Sequence, residues 1–467
     1  MSDRGRPTVL KFGGTSVQDI AALERAASIT VAQRAARPVV TVSAMSGVTD
    51  ALLAAVNDAL VKSAKSPDDA VREHLSRYER AARHFLSGRE RKAFLDATAA
   101  AAAEILRLLA IVRSYPCTAP PLRDEIVSFG ERLCAQLFAG VLNEAGLPAE
   151  MSDARRCIVT DDAFSRATPL RGETFAHVRR NLSSVIERGV TPTLGGFIGG
   201  TTDGATTTLG RGGSDYTATL IGAALDAAEV QIWTDVSGIL TADPRLVPQA
   251  KLLEKISYAE ATDLALYGAK VLHPKTIEPV ERLGIPVTIR NSHEPDGGRS
   301  TVSVASSIPA GAVGAVTHCT GIATLRLTPH DGSNATLKIG AVAETLEKSG
   351  VPAEHVSASR GHVEATVEAG DALRTCLRHL EAIGRISLHD RQAVVCLVGD
   401  FRAGGADLEN AIGNELVEFE ATALHPHPSQ SARLFVTPEA HVAQAVRKLH
   451  RRFIETTSEN SAERTRP

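Results

Sequence analysis

The chain has no cysteines spaced to form a metal or redox motif. Its six, Cys117, Cys134, Cys157, Cys319, Cys376 and Cys396, are scattered through 467 residues without a CxxC. No secretory leader is read before them, so they are expected to be reduced, mostly buried thiols of a cytoplasmic protein. A strong charge of either sign is also missing. A net charge of -3 and a pI near 6.6 supply no electrostatic argument for nucleic acid. Long uncharged apolar runs are absent too. The alanine-rich stretch from Ala93 to Val112 is broken by Asp96, Glu104 and Arg107 at helical spacing, which predicts an amphipathic helix and excludes a membrane span there. The P-loop pattern GxxxxGK[ST] occurs nowhere. What remains is an ordinary globular composition, 43% hydrophobic and 22% charged, long enough for two or three domains. A soluble protein acting on small molecules is the default.

From Thr8 onward, short β-branched runs alternate with helical patterns: "TVLKF", "DIAALERAASITVAQR", "PVVTVSAM", "DALLAAVNDALVKSA". This predicts an α/β architecture, a parallel sheet covered on both faces. Four strand-like runs, "VLKFGG", "VVTVSAMSG", "PTLGGFIGG" and "VQIWTDVSG", end in glycines or small polar residues. Ligands in open α/β sheets sit at the carboxyl ends of strands, so these ends are expected to converge on one site. Turn residues at 294–314 mark a domain boundary, and beyond it two small α+β series follow in tandem. The expected division is 1–305, 315–385 and 386–455, with a polar, frayed tail at 456–467.

Several segments carry candidate chemistry. "LKFGGTSV" puts Lys11 at a strand end beside Gly13 and Gly14, where an ammonium and backbone N–H groups can hold a phosphate. In "SAMSGVTD", Thr49 is either a hydrogen-bonding group at a second strand end or a helix cap. Glu131 in "SFGERL" follows a glycine inside a helical pattern, a setting in which most glutamates are solvated. "TTLGRGGSDYTA" surrounds Arg211 with Gly210, Gly212 and Gly213, and Ser214 or Asp215 could cap the helix that begins there. That loop suits an anion, and also a plain helix entry with a surface ion pair. "WTDVSGILTADPRLV" offers Thr234 and Asp235 at a strand end and then Arg245, while "YGAKVLHPKT" holds Lys270 and a His273 that reads as packed or capping.

Taken in order and spacing, "KFGGTS", "SFGER", "TLGRGGSDYTA", "TDVSGILTADPR" and "YGAKVLHPKT" closely resemble the aspartate kinases of the amino acid kinase family. "QAVVCLVGD" and "VRKLHRRFIE" resemble that family's paired ACT regulatory domains, so the resemblance covers nearly the whole chain. It implies an amino acid kinase α/β/α sandwich followed by two α+β ACT-like domains, and a homodimer or larger assembly through the latter. It further implies transfer of the ATP γ-phosphoryl group, with Mg2+ carried on the nucleotide's oxygens and water, to the β-carboxylate of L-aspartate. By the resemblance Lys11, Asp215 and Lys270 are catalytic. Thr49, Glu131, Arg211 and Ser214 bind aspartate; Lys11, Gly13, Gly14, Thr234, Asp235, Arg245 and Lys270 face ATP. No protein ligand to the metal is expected.

Two departures from the family pattern stand out. Leu240 occupies a position where relatives often carry a tyrosine, which weakens an adenine-side contact. "SASRGHVE" places Arg360 and His362 where the effector region is usually serine and acid, so a lysine effector would meet like charge, predicting weak or absent lysine feedback. Relatives acting on glutamate, N-acetylglutamate, carbamate or UMP are disfavoured by the joint presence of Glu131 and Arg211, which suit a free amino dicarboxylate. The alternative from another class is a catalytically silent amino-acid sensor. The retained Lys11, Glu131, Arg211 and Asp215 argue against it. A fused homoserine dehydrogenase is not expected, because the second regulatory unit closes the chain.

Overall fold

The strand Thr8–Phe12 is buried along its whole length, as a β-branched and apolar run inside a parallel sheet should be. The computed structural model describes residues 5–63, 67–269, 272–359, 361–403, 405–424 and 429–456. These divide into two bodies: one of residues up to 238 plus 272–304, the other of 239–271 plus the chain from 305 onward.

In the first body the strands run in the order Ala149–Met151, Thr191–Gly195, Val39–Val42, Thr8–Phe12, Glu229–Thr234, Val287–Asn291 and Arg299–Ser303. The four runs ending in small residues are parallel neighbours, with Leu10 opposite Val40 on one side and Gln231 on the other. Helices Ile20–Ala32, Val48–Leu60, Pro67–Phe85, Gly88–Ser114 and Ala119–Glu144 share one core with Leu10, Phe12, Val40 and Val42. Helices Arg171–Glu187, Gly213–Ala224 and Pro274–Glu281 pack together as a second helical layer, the middle one against Thr8–Phe12. The alanine-rich stretch lies within the helix Gly88–Ser114, as expected, and no described helix is long and apolar enough to cross a membrane.

The second body is a six-stranded antiparallel sheet in the order Ala353–Ser359, His362–Glu368, Val313–Pro329, Gly384–Gly399, Ala432–Pro438, Thr422–Ala423. Its two cores are nested where the sequence suggests succession. One core takes Ala323 to Leu388; the other joins Val313 and Val316 to Ala393, Val395 and residues up to Ile454. The cause is the long strand Val313–Pro329, whose register breaks between Cys319 and Ile322, so that its two halves serve different cores. Residues 239–269 also belong to this body, although the sequence reading carried the kinase region unbroken to 305. Ala242 and Val247 enter the second core, and Thr241 Oγ1 lies 2.9 Å from the Nε2 of buried His450. Of the tail expected at 456–467, residues 457–467 lie outside the described residues.

Candidate functional site

Backbone hydrogen bonds knit the four strand ends together. Ser43 N–H donates to the Phe12 carbonyl (3.0 Å), Gly196 N–H to Val42 (2.8 Å), Gly13 N–H to Trp233 (3.0 Å) and Ser46 N–H to Gly14 (3.2 Å). One consequence corrects the phosphate nest expected at both glycines. Gly13's N–H is already donated to the Trp233 carbonyl and is not available to an anion.

Lys11 is the penultimate residue of its strand and is largely buried, with Nζ 2.6 Å from Asp215 Oδ1. Asp215 stands in the first turn of Gly213–Ala224, where a negative charge also meets the positive end of the helix dipole. The N-cap of that helix is Gly212, not Ser214 or Asp215. Its φ of +71° and the 2.5 Å that would separate an added Cβ from His273 Cβ together require glycine. His273 in turn caps Pro274–Glu281, its Nδ1 accepting from Lys275 N–H at 3.3 Å, as the sequence suggested for a capping histidine. Burial, together with Lys275 and Arg211, holds its pKa below the usual histidine value. Likewise Gly47, not Thr49, caps Val48–Leu60, so Thr49 is free to face the cavity from the first turn.

Glu131 is fully buried, against the ordinary habit of glutamate. Its helix, Ala119–Glu144, reaches the loop after the second strand because Gly130 has no side chain; a Cβ there would stand 2.8 Å from Ala44 Cβ. Oε1 accepts from Ala44 N–H at 3.3 Å and the Thr49 hydroxyl also bonds the carboxylate, while Oε2 has no hydrogen-bond partner among the described residues. Burial pushes the carboxyl pKa up to about 8, against these hydrogen bonds, which pull it down. Arg211 is exposed on its glycine loop and has no ion-pair partner among the described residues. The strand that delivers it, Thr206–Thr208, is fixed by buried Asp124, which accepts from Thr208 N–H and Ser165 N–H, each at 2.7 Å.

Lys11, Thr49, Glu131, Arg211, Ser214 and Asp215 line one cavity of about 370 Å³. That volume suits a small ligand. Phe197 lines it as well, and sequence reasoning passed over this residue; its φ of +69°, rare for an aromatic residue, is the structural signal that marks it. A larger cavity of about 770 Å³ runs along the helix Ala119–Glu144 but holds none of the candidate residues, and two of its three arginines are engaged, Arg132 with Glu125 (2.9 Å) and Arg155 with Asp153 (2.7 Å). On the expected nucleotide side, Thr234 ends the strand next to Thr8–Phe12 and donates to Asp235 Oδ1 at 3.1 Å. Arg245 falls in the second body, where it grips Asp243 through two bonds of 3.0 and 2.6 Å. Lys270 and Arg360 lie outside the described residues.

The amino acid kinase family profile matches residues 6–291. Lysine-sensitive aspartokinase 3 of Escherichia coli is 33% identical, over 96% of this chain and 99% of its own length. The chain belongs to the aspartokinases of that family. Chloroplastic aspartokinase 1 of Arabidopsis thaliana is 27% identical over 98% of the chain and 82% of its own. Among solved structures, Escherichia coli aspartokinase III in complex with aspartate and ADP matches with a TM-score of 0.83 at 31% identity, covering 95% of this chain and 99% of that one. The same enzyme with lysine and aspartate matches at 0.76 and 30%, covering 96% and 99%. The architecture of this aspartokinase is therefore a kinase domain with C-terminal ACT-type regulatory domains.

Proposed function

We infer that this aspartokinase transfers the γ-phosphoryl group of ATP to the β-carboxylate of L-aspartate, giving 4-phospho-L-aspartate. The observation that carries the reading is the buried Glu131 Oε2, without a hydrogen-bond partner, in one cavity with the exposed Arg211 and with Lys11. A buried carboxylate oxygen left unpaired is costly unless a cation completes it. The α-ammonium of an amino acid does so. Arg211 grips a substrate carboxylate in bidentate fashion, and Thr49 and Ser214 supply hydroxyls.

The attacking carboxylate, with an ordinary pKa near 4, is ionised at neutral pH, so no general base is needed. The work is positioning and charge neutralisation of a loose, anionic transition state. Lys11, held at the strand end by Asp215, supplies the cation, and Gly14 with the two helix N-termini at Gly47 and Gly212 supplies N–H donors and positive dipole ends. On the nucleotide side we assign Thr234, Asp235, Arg245 and Lys270; for Arg245 to reach a phosphate it must exchange its Asp243 partner. Mg2+ supplies further charge neutralisation when it enters with ATP. Nucleotide oxygens and water would hold it, the usual coordination of a Mg2+ ion carried on a nucleotide.

We also assign feedback to the ACT-type units, with lysine a poor effector. Glu364, the acid nearest "SASRGH" in sequence, is already held by Arg326 (2.6 Å) and His362 (3.1 Å). Assembly into a homo-oligomer is assigned to the same units. The reading is tested by trapping the acyl phosphate with hydroxylamine: hydroxamate formation that requires both ATP and L-aspartate supports it, and amino-acid binding without turnover supports the sensor alternative.

A further inference from the structure

One face of the helix Pro67–Phe85 lies across the loop that follows the second strand, and three of its side chains meet three successive loop residues. Tyr78, fully buried, accepts from Met45 N–H at 3.0 Å and donates to the Gly130 carbonyl at 3.1 Å. Arg77 donates to the Ser46 carbonyl at 2.6 Å and to the Gln18 carbonyl at 2.8 Å. The His74 ring borders Gly47, where an added Cβ would stand 4.0 Å from Cε1. Residues 74, 77 and 78 are i, i+3 and i+4 on a helix and so share a face. None of these three was singled out by the sequence motifs, and of them only their loop partners line the cavity.

The two partners of the Tyr78 hydroxyl belong to two different segments of the aspartate site, the loop after the second strand and the helix that carries Glu131. Met45 follows Ala44 in the loop that leads into the helix of Thr49, and Ala44 and Thr49 both bond Glu131; Gly130 is the residue before Glu131 itself. The phenol is therefore a second tie, beside the Ala44 and Thr49 bonds to Glu131, between the loop that leads to Thr49 and the helix that holds the ammonium-binding carboxylate. A buried phenol is retained where both its donor and its acceptor capacity are used, as here.

We propose that Tyr78 is a positioning and specificity residue, which fixes the separation of the 43–47 loop from the Glu131 helix and so fits the cavity to a four-carbon amino dicarboxylate, with Arg77 bracing the same loop from the Ser46 side. The proposal rests on the aspartate kinase reading. In Tyr78→Phe the ring volume stays and the tie is lost: Met45 N–H is left unpaired and the two segments can part. The fit to aspartate then loosens, and the extra methylene of glutamate is rejected less strongly. The γ-phosphoryl machinery around Lys11 is not touched by this change.

The test is steady-state kinetics of the full chain with L-aspartate and with L-glutamate as acceptors. For Tyr78→Phe we expect the KM for aspartate to rise about tenfold, the KM for ATP to stay within about twofold, and the aspartate-to-glutamate ratio of kcat/KM to fall about tenfold. Arg77→Met, which removes one bond to the loop and one to the Gln18 carbonyl at a half-buried position, gives a smaller change in the same direction and keeps the test open should Tyr78→Phe fail to fold. A lowered melting temperature with unchanged KM and unchanged acceptor ratio in the folded variants would overturn the proposal, because a merely structural tyrosine behaves that way. Absence of aspartate-dependent turnover in the unaltered protein would instead overturn the kinase reading, and the two failures are distinct.

Discussion

Lys11 Nζ stands 2.6 Å from Asp215 Oδ1, and this ion pair ties the end of the first strand to the first turn of the helix Gly213–Ala224. Each partner is largely shielded from water, so each depends on the other. Removing one leaves a buried charge unpaired, which typically costs about 3–5 kcal/mol. The same ammonium is the cation assigned to the transferring phosphoryl group.

Lys11→Met should therefore lose both stability and activity, the latter by a factor of about 10²–10³ in kcat. Combining Lys11→Met with Asp215→Asn should restore much of the melting temperature and none of the turnover. Recovery of activity in the double variant would show that Lys11 acts only through folding.

Glu131 makes ligand-free stability depend on pH. Its folded pKa, pushed up to about 8, exceeds the ordinary carboxylate value of 4.5, so between those limits the folded state holds a proton that the unfolded state has released. Stability then falls as pH rises through this window, by about 1.4 kcal/mol per unit of pKa displacement, and the penalty is complete above about pH 8. Glu131→Gln removes this penalty. Its ligand-free melting temperature should exceed that of the unaltered protein at pH 9 and lose that advantage near pH 5, which thermal melts at the two pH values check.

Substrate binding should draw the same proton off. An α-ammonium beside Oε2 favours the ionised carboxylate, so L-aspartate binding near pH 7 releases close to one proton. Calorimetry in buffers of different ionisation enthalpy measures that number. Glu131→Gln should release none and should bind aspartate at least about tenfold more weakly, as expected for loss of a charge-assisted contact.

Arg211 is exposed and carries no structural ion pair among the described residues, so its replacement should leave the fold intact. Arg211→Lys keeps the charge and loses the planar fork. We expect the aspartate KM to rise about tenfold or more with little change in melting temperature.

Lysine at several times a millimolar concentration should leave activity within about twofold, given the like charge that "SASRGHVE" offers a lysine effector. Half-inhibition at sub-millimolar lysine, measured in the same hydroxamate assay, would contradict this.

Much of the site was legible because glycine-rich strand ends announce where a parallel sheet opens, and because Lys11, Glu131 and Arg211 sit in distinctive local patterns. The burial of Glu131 was not legible. It depends on Gly130 meeting Ala44 across the fold, and in its own window the glutamate looks like any surface charge. Asp124 and Tyr78 escaped notice for a related reason: each acts through partners distant in sequence, Tyr78 through Met45 and Gly130, Asp124 through Ser165 and Thr208, while Phe197 is marked only by its backbone φ. The nested cores of the C-terminal body were hidden by the strand Val313–Pro329, whose continuous β pattern gives no sign that a bulge divides it between two packing environments. The capping roles of Gly47 and Gly212 were misread because serine, threonine and aspartate cap helices more often than glycine does, whereas here the loops need positive φ.

The most direct test of the central claim is ATP-dependent hydroxamate formation from L-aspartate by the unaltered protein and by Glu131→Gln and Arg211→Lys, with each variant's fold checked by melting. The account predicts robust aspartate-dependent product from the unaltered chain and a sharply raised aspartate requirement in both folded variants. Product formation that is indifferent to both substitutions, or no product at all, would contradict it.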